Sequence, residues 1–187
     1  VGIEMKKLIF SAGEYFMGAA FTPSGLAVLT LPFSQAAEAE ADLMAALAKL
    51  AAGRALQDSG RNHAMFQGST NREQETRLID DLQKYFAGEV TSFEQVNLDL
   101  SPHRFTPFQL AVLNQVKNIP YGRLNSYRQV AESAGSPNGA RAAGQAIGLN
   151  PVPIIIPCHR VINAGGGLGG FTGGLDKKKM LLRIEGL

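Results

Sequence analysis

Cysteine is almost missing from this chain: its 187 residues include one, Cys158. An internal disulfide is therefore excluded, as is a zinc site built from several cysteines. A reducing, cytosolic compartment is the expected setting. Histidine is scarce too. Besides His159 there are His63 and His103, which leaves Cys158 without the partners a metal centre needs, so no metal is expected. No apolar run is long enough to span a bilayer. A signal peptide is not expected either, because the basic and apolar start Met5-Lys6-Lys7-Leu8-Ile9-Phe10 is cut short by Ser11-Ala12-Gly13-Glu14. Val1–Glu4 precede the methionine and are left out of the expected fold.

Charge is modest, at 18% of residues, against 45% hydrophobic, an ordinary globular mixture. The net charge of +2 is unevenly spread. Residues 1–100 carry 8 basic against 13 acidic side chains, and residues 101–187 carry 10 against 3. The halves are thus −5 and +7, which points to a polyanion facing the second half, unless the scatter is accidental.

The first half reads as strands followed by helices. Short apolar runs at Lys7–Ser11, Gly18–Thr22 and Gly25–Pro32, separated by turn residues, predict a meander or hairpin. Gln35–Leu56 is rich in Ala, Leu and Glu, with Leu43, Leu47 and Leu50 at helical spacing. Gly60–Thr70 reads as a loop. Asn71–Ala87 returns to helix, with Leu78, Ile79, Leu82 and Phe86 on one face and Gly88 as its stop. Val96–Leu100 alternates like a last strand or connector, and Ser101-Pro102-His103-Arg104 breaks the chain. A domain boundary is expected at residue 102.

In the second half Thr106 and Pro107 supply a helix start, and Ile119-Pro120-Tyr121-Gly122 ends that helix. Ser126 can cap a short helix to Ala134. Ser136-Pro137 predicts a second start, running to Ile147. Two short helices around a glycine turn make a helix-turn-helix. The second of them is nearly bald, with Ala140, Ala142, Ala143, Gly144 and Ala146, and Arg141 is the only long side chain in its first turn. Small residues serve close helix packing, and they also serve a slim helix entering a narrow groove.

Cys158 itself follows three isoleucines and Pro157. Asn150-Pro151-Val152-Pro153 forces a turning approach to it. His159 and Arg160 come next, and positive charge favours a thiolate, so Cys158 is expected to be ionised more than a free cysteine. The eleven residues Ala164–Gly174 then include seven glycines. Such a stretch is either a flexible surface loop or a place where backbone amides approach a ligand, and Phe171 within it suggests a flat one. A cysteine peptidase fits poorly, because the side chains of adjacent Cys and His diverge.

Pro157-Cys158-His159-Arg160-Val161 resembles the active-site signature of the O6-alkylguanine-DNA alkyltransferases, the methylated-DNA–protein-cysteine methyltransferase family. The likeness extends in order through Thr106-Pro107-Phe108, Ile119–Gly122, Ser126-Tyr127, Ala140-Arg141-Ala142, Asn150-Pro151, Gly173-Gly174-Leu175 and Leu181–Gly186. It implies an α+β protein. Residues 1–102 would be a ribonuclease-H-like domain, and residues 103–187 a winged helix-turn-helix-like catalytic domain. It implies Cys158 as the alkyl-accepting nucleophile, His159 as a base acting through water, and Glu185 as the carboxylate orienting His159. Tyr127 would assist base rotation and the departing guanine, and Asn150 would brace the turn before an active-site strand. Arg141, Tyr127, Ala140, Gly144 and Arg160 would meet DNA. Pro153, Val161, Phe171, Thr172 and Lys178 would line the base pocket. The implied partner is double-stranded DNA carrying alkylated guanine, bound by a monomer that needs no cofactor and no membrane. Its location would be cytoplasmic, at the nucleoid in a bacterium or in the nucleus of a eukaryote. The zinc site of some members is not expected, because residues 1–102 lack cysteine. Phe171 stands where many members carry tyrosine. A branch of damage-binding, alkyltransferase-like proteins lacks the cysteine, which separates it from this chain.

Overall fold

A computed structural model describes residues 5–55, 72–89 and 92–187. The loop expected over Gly60–Thr70, with His63, lies outside the described residues. The chain divides into two compact units, Val1–Gln83 with Phe93–Arg104, and Lys84–Ser92 with Phe105–Leu187. The protein is α+β, as expected.

In the first unit β1 (Lys6–Ala12), β2 (Tyr15–Thr22) and β3 (Gly25–Leu29) form the predicted antiparallel meander. Helix α1 (Ala36–Ala55) covers it with small residues. Ala20, Ala27, Val28 and Leu43 form the core between them, while Leu47 is only partly buried. The approach is close: a Cβ on Gly18 would stand 3.0 Å from that of Leu43. Val96–Leu100 is a connector with a single parallel bridge, Leu26 to Leu98. Gly25 lets it in, since a Cβ there would lie 2.4 Å from the Asn97 carbonyl.

Helix α2 (Arg72–Phe86) buries Leu78, Leu82 and Tyr85, whereas Ile79 and Phe86 are half-buried. The face is therefore turned relative to the sequence expectation. Positions 78, 82 and 85 lie within about 60° of one another around the helix, and 79 and 86 lie to one side of that stripe. Gly88 stops the helix as predicted, in the left-handed region at φ 79°.

The second unit holds α3 (Pro107–Lys117), α4 (Tyr127–Ser133), α5 (Ala140–Gly148) and α6 (Leu175–Ile184). The two-residue strands β4 (Asn125–Ser126) and β5 (Val161–Ile162) pair in parallel. Thr106 with Gln109, and Ser126 with Gln129, form capping boxes that begin α3 and α4. Helix α5 begins at Ala140, not at Ser136 as expected. The Ser136 carbonyl accepts from the Gly139 amide at 2.8 Å and closes a turn first. A Cβ on residue 139 would collide with the Ser136 hydroxyl at 2.3 Å, so glycine is required there. Ala143, Ala146 and Ile147 bury one face of α5, and Arg141, Ala142 and Gln145 are exposed on the other.

Candidate active site

The approach to Cys158 is built by Asn150. Its amide nitrogen donates to the Ile156 carbonyl at 2.7 Å, and its amide oxygen accepts from the Val152 backbone at 3.1 Å. Between these anchors Ile154, a buried β-branched residue, is held at φ 75°. Such a backbone costs roughly 1–3 kcal/mol and persists only where the surroundings impose it. The chain leaves this bend into a 3-10 turn, Cys158–Arg160, and only then into β5. The nucleophile candidate therefore sits on a turn and not on a strand.

Cys158 is buried, with 8% exposure. Burial pushes its thiol above the ordinary range. A hydrogen bond from Asn150, the Lys178 charge and the backbone amides of Cys158 and His159 work in the opposite direction without overcoming it. The expectation that Cys158 ionises more than a free cysteine is thus corrected: the apolar setting outweighs the nearby positive charge and disfavours the thiolate.

His159 is wholly buried, and its Nε2 lies 2.6 Å from Oε1 of Glu185. Nε2 carries the proton toward the carboxylate, which leaves Nδ1 as an acceptor. Nδ1 is buried without a hydrogen-bond partner among the described residues. Burial lowers the affinity of the imidazole for a second proton. Glu185 raises it, and Arg160 and Lys178 lower it further. Burial therefore favours the neutral ring.

Glu185 accepts from every side. Its Oε1 takes His159, the Tyr85 hydroxyl at 2.9 Å and Arg160 Nη2 at 3.0 Å. Its Oε2 takes Arg160 Nε at 2.8 Å and the Gly122 amide at 3.1 Å. Burial alone would raise its pKa, but the hydrogen bonds and charges of His159 and Arg160 hold it at about 2. The carboxylate that follows α6 against the helix dipole is therefore ionised by its partners.

Arg160, expected to meet DNA, belongs to this interior instead. It is 6% exposed, and its third nitrogen donates to the Ile119 carbonyl at 2.5 Å. Its charge is consumed by Glu185. Lys178 is likewise buried, with Nζ donating to the carbonyls of Val161 and Leu168 and lying 5.9 Å from the Phe171 ring centre. Burial brings its pKa down to about 8, against the pull of Cys158.

Tyr127 opens α4, and its hydroxyl donates to the Gly170 carbonyl at 3.1 Å. Burial, then the Cys158 charge, raise its phenol pKa, which ties the ring to the sulfur's neighbourhood. Two glycines make room for it. A Cβ on Gly144 would rest 3.6 Å from the ring, and one on Gly169 would collide with it at 2.8 Å, at a φ of 70° that disfavours any other residue. The exposed Thr172 donates to the Gly148 carbonyl, while Phe171 is half-buried and Pro153 and Val161 are buried. Arg141 and Ala140 lie in the first turn of α5, with Arg141 exposed.

Sequence reasoning missed Tyr85 and Tyr121. Tyr85 reaches Glu185 across 100 positions. Its only signal was the 78, 82, 85 spacing. The Tyr121 hydroxyl donates to the Ile184 carbonyl at 2.8 Å, and its ring lies under the Arg160 guanidinium.

Residues 107–187 match the family described as 6-O-methylguanine DNA methyltransferase, DNA binding domain. A methylated-DNA–protein-cysteine methyltransferase of Mycobacterium bovis is 50% identical over 107 residues, which are 57% of this chain and 62% of that protein. One from Methanosarcina acetivorans is 48% identical over 105 residues, 56% of this chain and 65% of that protein. The matched stretch thus spans less than two thirds of these relatives' own length. The crystal structure of Mycobacterium tuberculosis OGT in complex with DNA is similar over 96% of this chain and 91% of that one, at 34% identity and a TM-score of 0.67. With that likeness running over both units and the signature cysteine in place, the chain belongs to the methylated-DNA–protein-cysteine methyltransferase family.

Proposed function

We propose that this protein repairs DNA by moving an alkyl group from O6 of guanine, and from O4 of thymine where that is alkylated, onto Sγ of Cys158. One S–C bond forms and one O–C bond breaks. The electron pair goes to the base oxygen. The thiol proton passes through a water to Nδ1 of His159, and the departing base takes a proton in turn. The observation that carries the reading is a buried thiol next in the chain to a buried imidazole whose Nδ1 has no hydrogen-bond partner among the described residues and whose Nε2 is held by an ionised carboxylate. Displacement at carbon needs a thiolate, and this arrangement creates one when the substrate arrives. The thioether is stable, so each molecule acts once and no cofactor takes part.

Within this reading the alkylated base leaves the duplex, since the target atom is hidden in the stack. Exposed Arg141 fills the gap left behind. Ala140 and Gly144 keep α5 slim enough to lie in the groove. Tyr127 exchanges the Gly170 carbonyl for the leaving base, and Asn150 supports the sulfur. Pro153, Val161, Phe171 and Thr172 enclose the base, with the Lys178 ammonium held behind Phe171. The 103–187 portion carries the chemistry and 1–102 supports it, with Lys84–Ser92 grouped with the former. The protein works as a monomer on double-stranded DNA, in whichever compartment holds that DNA.

Incubation with a duplex containing O6-methylguanine, followed by intact-protein and peptide mass measurement, tests the proposal. One methyl on Cys158 per molecule is the expected result, abolished in Cys158→Ala while that variant still binds the duplex. Binding by the wild type without a mass change would place the protein with damage binders instead.

A further inference from the structure

We propose that Tyr85, on the last turn of α2, is a positioning residue for the His159–Glu185 pair: its hydroxyl fixes the carboxylate and takes up part of its accepting capacity, which limits how strongly His159 holds a proton. The proposal rests on the alkyl-transfer reading for its kinetic consequence and on geometry for its existence.

Tyr85 is fully buried. Its hydroxyl oxygen lies 2.9 Å from Oε1 of Glu185 and 3.3 Å from Nε2 of His159, so it touches both members of the pair. The ring meets Phe86, Tyr121 and His159 edge-on, at centroid separations of 5.4, 6.1 and 6.5 Å. These contacts aim the hydroxyl. Burial, then the Glu185 charge, push the phenol far above its ordinary pKa, so it stays protonated and serves as a donor to the carboxylate.

A carboxylate offers about four lone-pair directions. Glu185 receives five donors: one each from Tyr85, His159 and Gly122, and two from Arg160. On Oε1 the Tyr85 hydroxyl competes directly with His159. Removing it leaves more of the negative charge to the imidazole, which stabilises imidazolium. The other charged groups acting on the imidazole are Arg160 in the same turn and Lys178 on α6; Tyr121 packs against Tyr85 and beneath Arg160, and Cys158 acts on Lys178. Tyr85→Phe changes none of these and deletes one oxygen.

The test measures single-turnover methyl transfer against pH, DNA affinity, and the ¹⁵N imidazole shifts of His159 against pH, in the full-length protein. Three forms are compared: wild type, Tyr85→Phe, and protein with 3-fluorotyrosine at position 85, a stronger donor. The expected acid limb of the rate profile rises by about half a unit to one unit in Tyr85→Phe, the equivalent of one net hydrogen bond. It falls with 3-fluorotyrosine, and the ¹⁵N titration moves in the same order. DNA affinity is unchanged. A purely structural tyrosine would lower stability and leave both titrations where they are; that result, or shifts of the opposite sign, overturns the proposal. A wild type that transfers no methyl would sink the alkyl-transfer reading alone, because the ¹⁵N titration still decides the part played by Tyr85.

Discussion

The α4–α5 surface and the interior around Glu185 belong to the same unit and use arginine in opposite ways. On α5, Arg141 is exposed, and it is the only long side chain in the first turn of that helix. Behind Cys158, Arg160 is buried and bonded through three nitrogens. The first arginine faces solvent. The second neutralises a carboxylate so that this carboxylate can be buried beside an imidazole. A basic residue next to Cys158 is therefore no guide to surface charge, and burial separates the two arginines.

The comparison breaks most visibly under substitution. Arg160→Met leaves Glu185 in the interior without its principal counter-charge. Breaking a buried pair in this way costs about 3–5 kcal/mol. Arg141→Ala removes an exposed side chain, for which the expected change in stability is within about 0.5 kcal/mol. Chemical unfolding of both variants checks the contrast. Repair rates check it from the other side: Arg141→Ala loses more on duplex substrate than on free alkylated guanine, because only the duplex has a stack to fill. Similar stability losses in both variants would mean that Arg160 is not committed to the interior.

The interior should also betray itself in acid, with a smaller effect. The pKa of His159 is depressed from its ordinary 6.5, so the unfolded chain binds a proton there before the folded one does. Stability is complete above 6.5 and falls as pH drops below it. Glu185 is depressed from 4.5 to about 2, so its contribution is present above 4.5 and is lost as pH falls toward 2. Two successive losses are expected in urea-unfolding free energies measured from about pH 7 downward. His159→Gln removes the upper one and leaves the lower. Parallel pH slopes in wild type and variant would show that His159 is not held neutral in the fold.

What the sequence disclosed follows the same division. The capped helix starts at Thr106 and Ser126 were legible, since a cap and its partner lie three residues apart. So were the meander and Gly88, which depend on neighbours in the chain. The motif around Cys158 could be read as a unit because its chemistry is contiguous. Tyr85 and the true partner of Arg160 could not be read, because their contacts span 100 and 25 positions. The ionisation of Cys158 was misjudged for a related reason. Flanking charge is visible in a sequence, and the desolvation that overrides it is not. At Ser136 two valid local patterns competed, a helix cap and a turn, and Gly139 decided for the turn.

The smallest expected effect separates the two readings of the bald helix. Gly144 lies within α5, where glycine is less favourable than alanine by about 0.8–1 kcal/mol. The added methyl of Gly144→Ala would meet the Tyr127 ring at 3.6 Å, an ordinary van der Waals contact. The variant should thus be more stable by up to about 1 kcal/mol, a rise of a few degrees in melting temperature. If small residues serve packing alone, duplex repair stays at the wild-type rate. If they keep α5 slim for a groove, the same methyl slows repair in duplex and spares transfer from the free base. We expect the second pattern, because Ala142 and Gln145 are exposed beside Arg141 and Gly144 is only partly covered. Unchanged duplex repair in a stabilised Gly144→Ala protein would return the small residues of α5 to a packing role and leave Arg141 as the only element of that helix fitted to DNA.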